Sequence, residues 1–384
     1  MPKSFRRNRT FWVVAIQTAI VNFYLGGFGS AQSLLRADQG TSLTVAGLHG
    51  TAMGVAAILA GYANPHIAHR FGRVRAGWIG LTIFSAGLTL FVVSPPVFLT
   101  LPATFITGVG TSIVINTMLT SLSHHYGKAA EVAIPQANAI SSVGFVSGTA
   151  LIGTIAIFFP HLWRVGLLLA LPVAIAVFVF GRNKDVDEHV PDIEGPQGGK
   201  LSGVFWISWI GFVACISSEF AVSFWAAALL KERVGSTAAI STVAIVALGT
   251  GMAIGRWYTA VVLKSFKLDT QLLTVIAVQF LGFAAFWLSH SMLISLISLF
   301  IIGVGVSIQF ALASIRLIAF SDGRPDLAIG RTSLGAGIAI AAAPFLLGVL
   351  GDSFGISRAY IMVPILILIA FAIVKFVPSH AMKS

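Results

Sequence analysis

The sequence predicts an all-α polytopic membrane protein: twelve transmembrane helices in two six-helix halves related by a parallel pseudo-repeat. Three observations carry this. Of the 384 residues, 57% are hydrophobic and only 10% are charged, against roughly a quarter charged in an ordinary soluble domain. The apolar residues fall into twelve runs, each near the roughly 20 residues a helix needs to cross the hydrocarbon core. A stretch of the fourth run also recurs in the tenth, 195 residues later. A mean hydropathy of +0.92 excludes a soluble domain, which needs charge to cover its surface. It excludes disorder for the opposite reason, an excess of apolar side chain.

In chain order the runs are 11–34, 43–65, 75–93, 97–122, 132–158 and 163–181 (spans 1–6), then 203–230, 237–263, 270–288, 292–315, 330–350 and 359–377 (spans 7–12). Turn chemistry separates them at Ser94-Pro95-Pro96, Phe159-Pro160-His161, Gly235-Ser236 and Ser289-His290-Ser291. Span 1 follows Lys3, Arg6, Arg7 and Arg9 but is too long for a cleavable signal, so it is expected to remain as a helix. Only one connection is long. Residues 182–201 are polar, contain Pro and Gly, and hold five of the thirteen acids. They read as a solvated cytoplasmic linker between an N-terminal half at 1–181 and a C-terminal half at 202–384.

Lys and Arg total 24 against 13 Asp and Glu, a formal net charge of +11. With the N-terminus inside, eighteen bases fall on the cytoplasmic side and five on the outer side, leaving Arg256 within span 8. This is the asymmetry that orients membrane proteins, and it puts both termini in the cytoplasm. It also removes the reading of the excess charge as a nucleic-acid surface, which needs bases clustered on one soluble face.

The repeat extends beyond one motif. Phe105–Ile113 aligns with Phe300–Ile308, and the same shift takes Leu34-Leu35 to Leu229-Leu230, Gly54 to Gly249, Phe71 to Phe266 and Gly153 to Gly348. Six spans per copy is an even number, so the copies share orientation. Their axis then lies along the membrane normal, with substrate expected between the halves near the midplane.

The chain resembles the major facilitator superfamily. Twelve spans, the six-plus-six repeat, the central linker and inside termini agree with that family. Its motif between spans 2 and 3, a glycine followed by Asp-Arg-x-Gly-Arg, is matched by Arg70, Gly72 and Arg73, with Pro65 and His69 in place of the glycine and the acid. Gly251–Arg256 resembles a Gly-Met-x-x-Gly-Arg run of bacterial members. Gly144, Gly148 and Gly153 fall on the span 5 glycines of the family's antiporters, with Thr149 where their proline stands and Pro344 at the repeat position of Thr149. Thr104 stands where members often carry an arginine before Gly-x-Gly. The resemblance implies a secondary transporter working by alternating access and no enzyme activity. It implies a cytoplasmic gate at His69, Arg70, Gly72, Arg73 and Arg256, and a helix-packing motif at Gly144, Gly148, Gly153, Pro344 and Gly348.

Glu219 is the one acid placed inside a predicted span, about 11 residues from the outer end of span 7 and so roughly 16 Å deep at 1.5 Å per residue. Intramembrane carboxyls face the bundle interior or water. Loss of solvent disfavours a carboxyl's charged form, which suits reversible protonation. The readings are a coupling proton site, a ligand for a cationic or hydroxylated substrate, or a side chain permanently bonded to neighbouring helices. Arg256, the one deep base, is placed about 12 Å from Glu219 along the normal on the same rise. No direct pair is expected, and it serves as a gate, an anion ligand or a snorkelling residue. Spans 1, 4, 7 and 10 line the central cavity in the family. The cavity candidates on them are Asn22, Tyr24, Phe28, Asn116, Trp225 and Gln309. Interhelical bonding or packing is the competing reading of each. Tyr24 is the repeat-mate of Glu219.

His49 in span 2 is a packed histidine or a titrating one. His124-His125 point in different directions and make a poor metal pair. Gln136 and Asn138 line the inner mouth of span 5 or cap it. Cys215 is alone, which excludes an intramolecular disulfide.

No metal, cofactor or phosphate-binding loop is expected, so a proton or other ion gradient supplies the energy. The partners expected are a small-molecule substrate and the lipid bilayer, with no nucleic acid, and the chain is expected to act as a monomer in the cytoplasmic (inner) membrane. Three functions stand: proton-coupled export of a small organic solute; uptake of a sugar-like or carboxylate nutrient by symport or facilitation; and a non-transporting receptor or membrane enzyme. No nucleophile–base set in the spans supports the last.

Overall fold

In the hydrocarbon core every backbone N–H and C=O must bond within its own segment, which leaves helices as the form for these apolar runs. The computed structural model describes residues 6–181, 199–263 and 265–379; most of the 182–201 linker lies outside them. Twelve helices are long and apolar enough to cross a membrane. Spans 1–6 are Arg9–Ser30, Leu43–Phe71, Arg73–Val93, Val97–Tyr126, Val132–Phe158 and Pro160–Gly181. Spans 7–12 are Gly203–Val234, Ala238–Thr259, Leu268–Leu288, Met292–Ala319, Leu327–Phe354 and Ile356–Phe376. No strand occurs among the described residues. The predicted runs differ from these chiefly at the ends, where polar residues extend the helices beyond the hydrophobic stretch.

Several breaks have visible causes. Gly72 joins spans 2 and 3 as a single residue at φ 83°, a conformation open to glycine because it lacks a Cβ. Gly235 closes span 7 at φ 71°, its N–H bonding to Lys231 O at 3.0 Å. Ser202 opens the same span by accepting from Phe205 N at 3.1 Å. Span 10 consists of two helices, Met292–Val306 and Gln309–Ala319. A short helix, Gln32–Gln39, follows span 1 and ends at Gly40.

The described residues form two compact units, 6–29 with 55–181, and 30–54 with the remainder of the C-terminal part. This grouping departs from the sequence halves at one place. Residues 30–54, including the first part of span 2, group with the C-terminal half, because Gly47 and Gly54 bring span 2 against the backbone of span 11.

Within each unit the repeat is visible in its closest contacts. A Cβ on Gly110 would lie 2.2 Å from Phe84 N, and one on Gly305 would lie 2.6 Å from Gln279 N. A Cβ on Gly87 would lie 2.5 Å from Thr107 N, and one on Gly282 would lie 2.9 Å from Ile302 N. Each pair of partners is again 195 residues apart. Spans 3 and 4 thus pack as spans 9 and 10 do, backbone against backbone, which small residues permit where lipid gives no hydrophobic drive to associate. Spans 1 and 5 approach as closely: a Cβ on Gly144 would lie 2.2 Å from Ala19 O, and one on Gly148 would lie 2.0 Å from Phe23 O.

Candidate functional site

Glu219 lies halfway along span 7, 16 residues after Gly203 and 15 before Val234, and keeps part of its surface open. Glu219 and Arg256 of span 8 act on each other electrostatically through space, which is compatible with the expectation of no direct pair.

A buried polar chain leads to the residue beside Glu219. Gln309 Nε2 donates to Gln279 Oε1 at 2.8 Å, and Gln279 Nε2 donates to Ser218 Oγ at 2.9 Å. Ser218 Oγ in turn donates to Cys215 O at 2.7 Å. Gln309 is 1% exposed and Ser218 0%, so in this conformation Gln309 bonds spans 9 and 10 together. Gln279 and Ser218 were missed by the sequence reading. A glutamine inside an apolar run was the available signal, since an unpaired amide is costly in hydrocarbon.

The N-terminal unit fills the corresponding positions differently. Tyr24, the repeat-mate of Glu219, is fully buried and stacks on Phe28 at 5.0 Å between ring centroids. Its other ring neighbour is Phe84, the repeat-mate of Gln279. Phe28 packs edge-on against Phe91, and the guanidinium of Arg164 lies over both Phe91 and Trp163. Arg164 is 6% exposed, and aromatic faces receive its cation near the start of span 6.

Of the remaining cavity candidates, Asn22 and Asn116 keep part of their surface open. Asn22 Nδ2 donates to Thr18 O at 2.9 Å within its own helix. Trp225 is fully buried, and its Nε1–H donates to Pro344 O at 2.8 Å, joining span 7 to span 11. Trp225→Phe keeps the ring and deletes the donor. It is expected to cost about 0.5–1.5 kcal/mol, read as a lowered thermal unfolding midpoint in detergent.

In the motif between spans 2 and 3, His69 and Arg70 are exposed. The Arg70 guanidinium lies 5.4 Å from the Phe71 ring centroid. Gly348 of span 11 packs against the start of span 2, where its Cβ would lie 2.5 Å from Leu43 O. Gly153 lies within span 5. His49 is fully buried, with Nδ1 3.2 Å from Ala46 O. Where span 4 ends and span 5 begins, Gln136 Oε1 accepts from Arg7 Nε at 2.9 Å, and Tyr126 Oη donates to Asn8 Oδ1 at 2.8 Å.

Two further buried charges were read as lying at the cytoplasmic side, outside the spans. Asp269 in the first turn of span 9 and Arg316 in span 10 form an ion pair at 3.0 Å, with side chains 11% and 3% exposed. Glu219 is therefore not the one acid within the spans.

Twelve apolar spans among the described residues and a repeat of six with matching contacts in each copy define a polytopic membrane protein of the kind that carries solutes. The comparison of families places it: the model of the Major Facilitator Superfamily matches residues 14–322, and the chain belongs to that family. It is thus a multi-pass membrane protein and secondary transporter rather than an enzyme, with a small-molecule substrate and the lipid bilayer as partners.

Solved structures with a similar fold include a bacterial homologue of the human lysosomal transporter Spinster (TM-score 0.76, 14% identity, covering 97% of each chain). The nucleoside transporter NupG is similar at TM-score 0.72 and 11% identity, covering 98% of this chain and 99% of its own. The human organic anion transporter TETRAN is similar at TM-score 0.67 and 15% identity, covering 95% and 99%. Comparison with curated protein sequences gives no match.

Proposed function

We propose that the protein exports a small organic solute by exchange with protons, with Glu219 as the proton-carrying group. The observation that carries this is the position of Glu219: mid-span, partly open, and next to Ser218, which the chain through Gln279 and Gln309 holds. Protonation changes the charge balance with Arg256, and a ligand or proton that prefers one conformation shifts the population towards it. The span 5 glycines pressed against span 1 support the antiporter reading over a facilitator. Arg256 favours the rival, uptake of a carboxylate nutrient, because it supplies a cation within a span. The excess of bases at one end of the spans supports an inner-membrane location with both termini in the cytoplasm, and the chain is taken to act as a monomer.

The test uses proteoliposomes with an entrapped pH-sensitive dye and a panel of organic cations, hydroxylated solutes and carboxylates. The wild-type protein is expected to move protons when a panel member is added, in the direction opposite to the solute. Glu219→Gln is expected to lower that flux at least about a hundredfold, since an amide cannot carry the proton. Undiminished flux in Glu219→Gln removes Glu219 as the proton site, and co-directional flux selects uptake.

A further inference from the structure

Every helix begins with backbone N–H groups that have no partner inside it. At span 2, Val45 N donates to Ser42 Oγ at 3.2 Å, and Ala46 N makes the first helical bond, to Ser42 O at 3.1 Å. The N–H groups of Leu43 and Thr44 are taken by one carboxylate, about three hundred residues further along the chain. Asp352 Oδ1 accepts from Leu43 N at 2.9 Å, and Asp352 Oδ2 accepts from Thr44 N at 2.7 Å. Charge-assisted bonds of this length are the strong kind, and the helix dipole adds to them.

Below this cap spans 2 and 11 run against each other on small residues. A Cβ on Gly47 would lie 2.9 Å from Pro344 O, and one on Gly54 would lie 2.4 Å from Ala341 N. Thr51 Oγ1 donates to Ala341 O at 2.9 Å. A contact built on missing side chains has little interdigitation to resist sliding, so specific polar bonds carry a large share of the hold. Beyond Gly54 the chain of span 2 leaves this compact unit.

We propose that Asp352 is a latch: its carboxylate holds the outer portion of span 2 on span 11, and its release lets that portion leave. This rests on the alternating-access reading and names a residue that controls it. Asp352 is exposed and Thr44 half-buried, so when the helices part, the carboxylate and both N–H groups find water. The bonds therefore re-form without stranding a buried charge, as a cycling contact requires. Asp269 and Arg316, bonded out of water, lack that property.

The test needs no solute, so its failure is distinct from failure of the proton-flux assay. In a Cys215→Ala background, Thr51→Cys is labelled from outside in right-side-out vesicles with a membrane-impermeant maleimide. Asp352→Asn is expected to raise the labelling rate about tenfold, because an amide accepts through one oxygen and carries no charge. Ser353→Ala, one residue further on and bonded only within its own helix at Val349 O, is expected to label at the parent rate. Labelling of the folded Asp352→Asn protein at the parent rate overturns the latch. Should Asp352→Asn fail to fold, hydrogen exchange in the unsubstituted protein decides. The Leu43 and Thr44 amides are expected to exchange at least about tenfold more slowly than those of an exposed loop, and loop-like exchange overturns the proposal.

Discussion

Asp269→Ala is expected to lower folded-state stability by about 3–5 kcal/mol, the cost of breaking a buried ion pair from one side. The deletion leaves the Arg316 guanidinium, 3% exposed, with the Val377 carbonyl and the face of Phe320 as its remaining partners. The carboxylate also holds the end of the chain, since Asp269 Oδ2 accepts from Ser379 N at 2.6 Å and from Ser379 Oγ at 2.9 Å. Arg316→Ala is expected at the lower end of the same range, because Ser379 still satisfies the acid it leaves behind. The joint replacement Asp269→Val with Arg316→Leu is expected to recover most of the loss, since an apolar pair of similar volume is often neutral. Thermal unfolding of the three proteins in one detergent checks this. A double variant as unstable as Asp269→Ala assigns the effect to lost volume rather than stranded charge. The repeat supports the expected recovery: Val74 and Ser121 stand at the corresponding positions of the first half, where no such pair exists.

Gly110→Val is expected to cost about 3 kcal/mol or more, at or above the upper end of ordinary overpacking. Its Cβ would lie 2.2 Å from Phe84 N and 2.5 Å from Gly80 O. Both are backbone atoms and cannot rotate away, so spans 3 and 4 must separate along their length. Gly305→Val is expected to behave alike against Gln279, and further to disturb the bond from Gln279 to Ser218 beside Glu219. It should therefore impair proton flux beyond its effect on stability. Gly61 is the control. A Cβ there meets nothing within 4 Å, and Gly61→Ala is expected to be neutral or to stabilise by up to about 1 kcal/mol through helix propensity. Unfolding midpoints of the three variants rank these effects, and equal losses at Gly61 and Gly110 refute the close-approach account.

Much of the site was legible in the sequence, for a specific reason. A carboxylate or guanidinium in an apolar run is expensive, so Glu219 and Arg256 stand out wherever they point. Asp269 and Arg316 did not stand out, because both lie near span ends, where snorkelling makes charge cheap and a loop residue looks the same as a buried one. Tyr24, Phe28 and Trp225 are cavity candidates with packing as the competing reading, and in this conformation all three are buried. An aromatic residue suits a packed interior and a substrate wall equally well, and only its neighbours distinguish the two.

The amino-acid sequence alone determined the number of spans, their approximate limits, the 195-residue repeat and the mid-span acid. Each of these is local or periodic: hydrocarbon thickness acts on one helix at a time, and a duplicated gene keeps its register. The fold in three dimensions assigned the partners. It joined Asp352 to Leu43 and Thr44 across 309 residues, linked Gln309 through Gln279 to Ser218, and packed Tyr24 against Phe28 and Phe84. The physical reason is the solvent. Lipid is as apolar as the protein interior, so a membrane helix carries little sequence record of which face is buried. Contacts between distant spans are then decided by where glycines let backbones meet and where polar groups find each other.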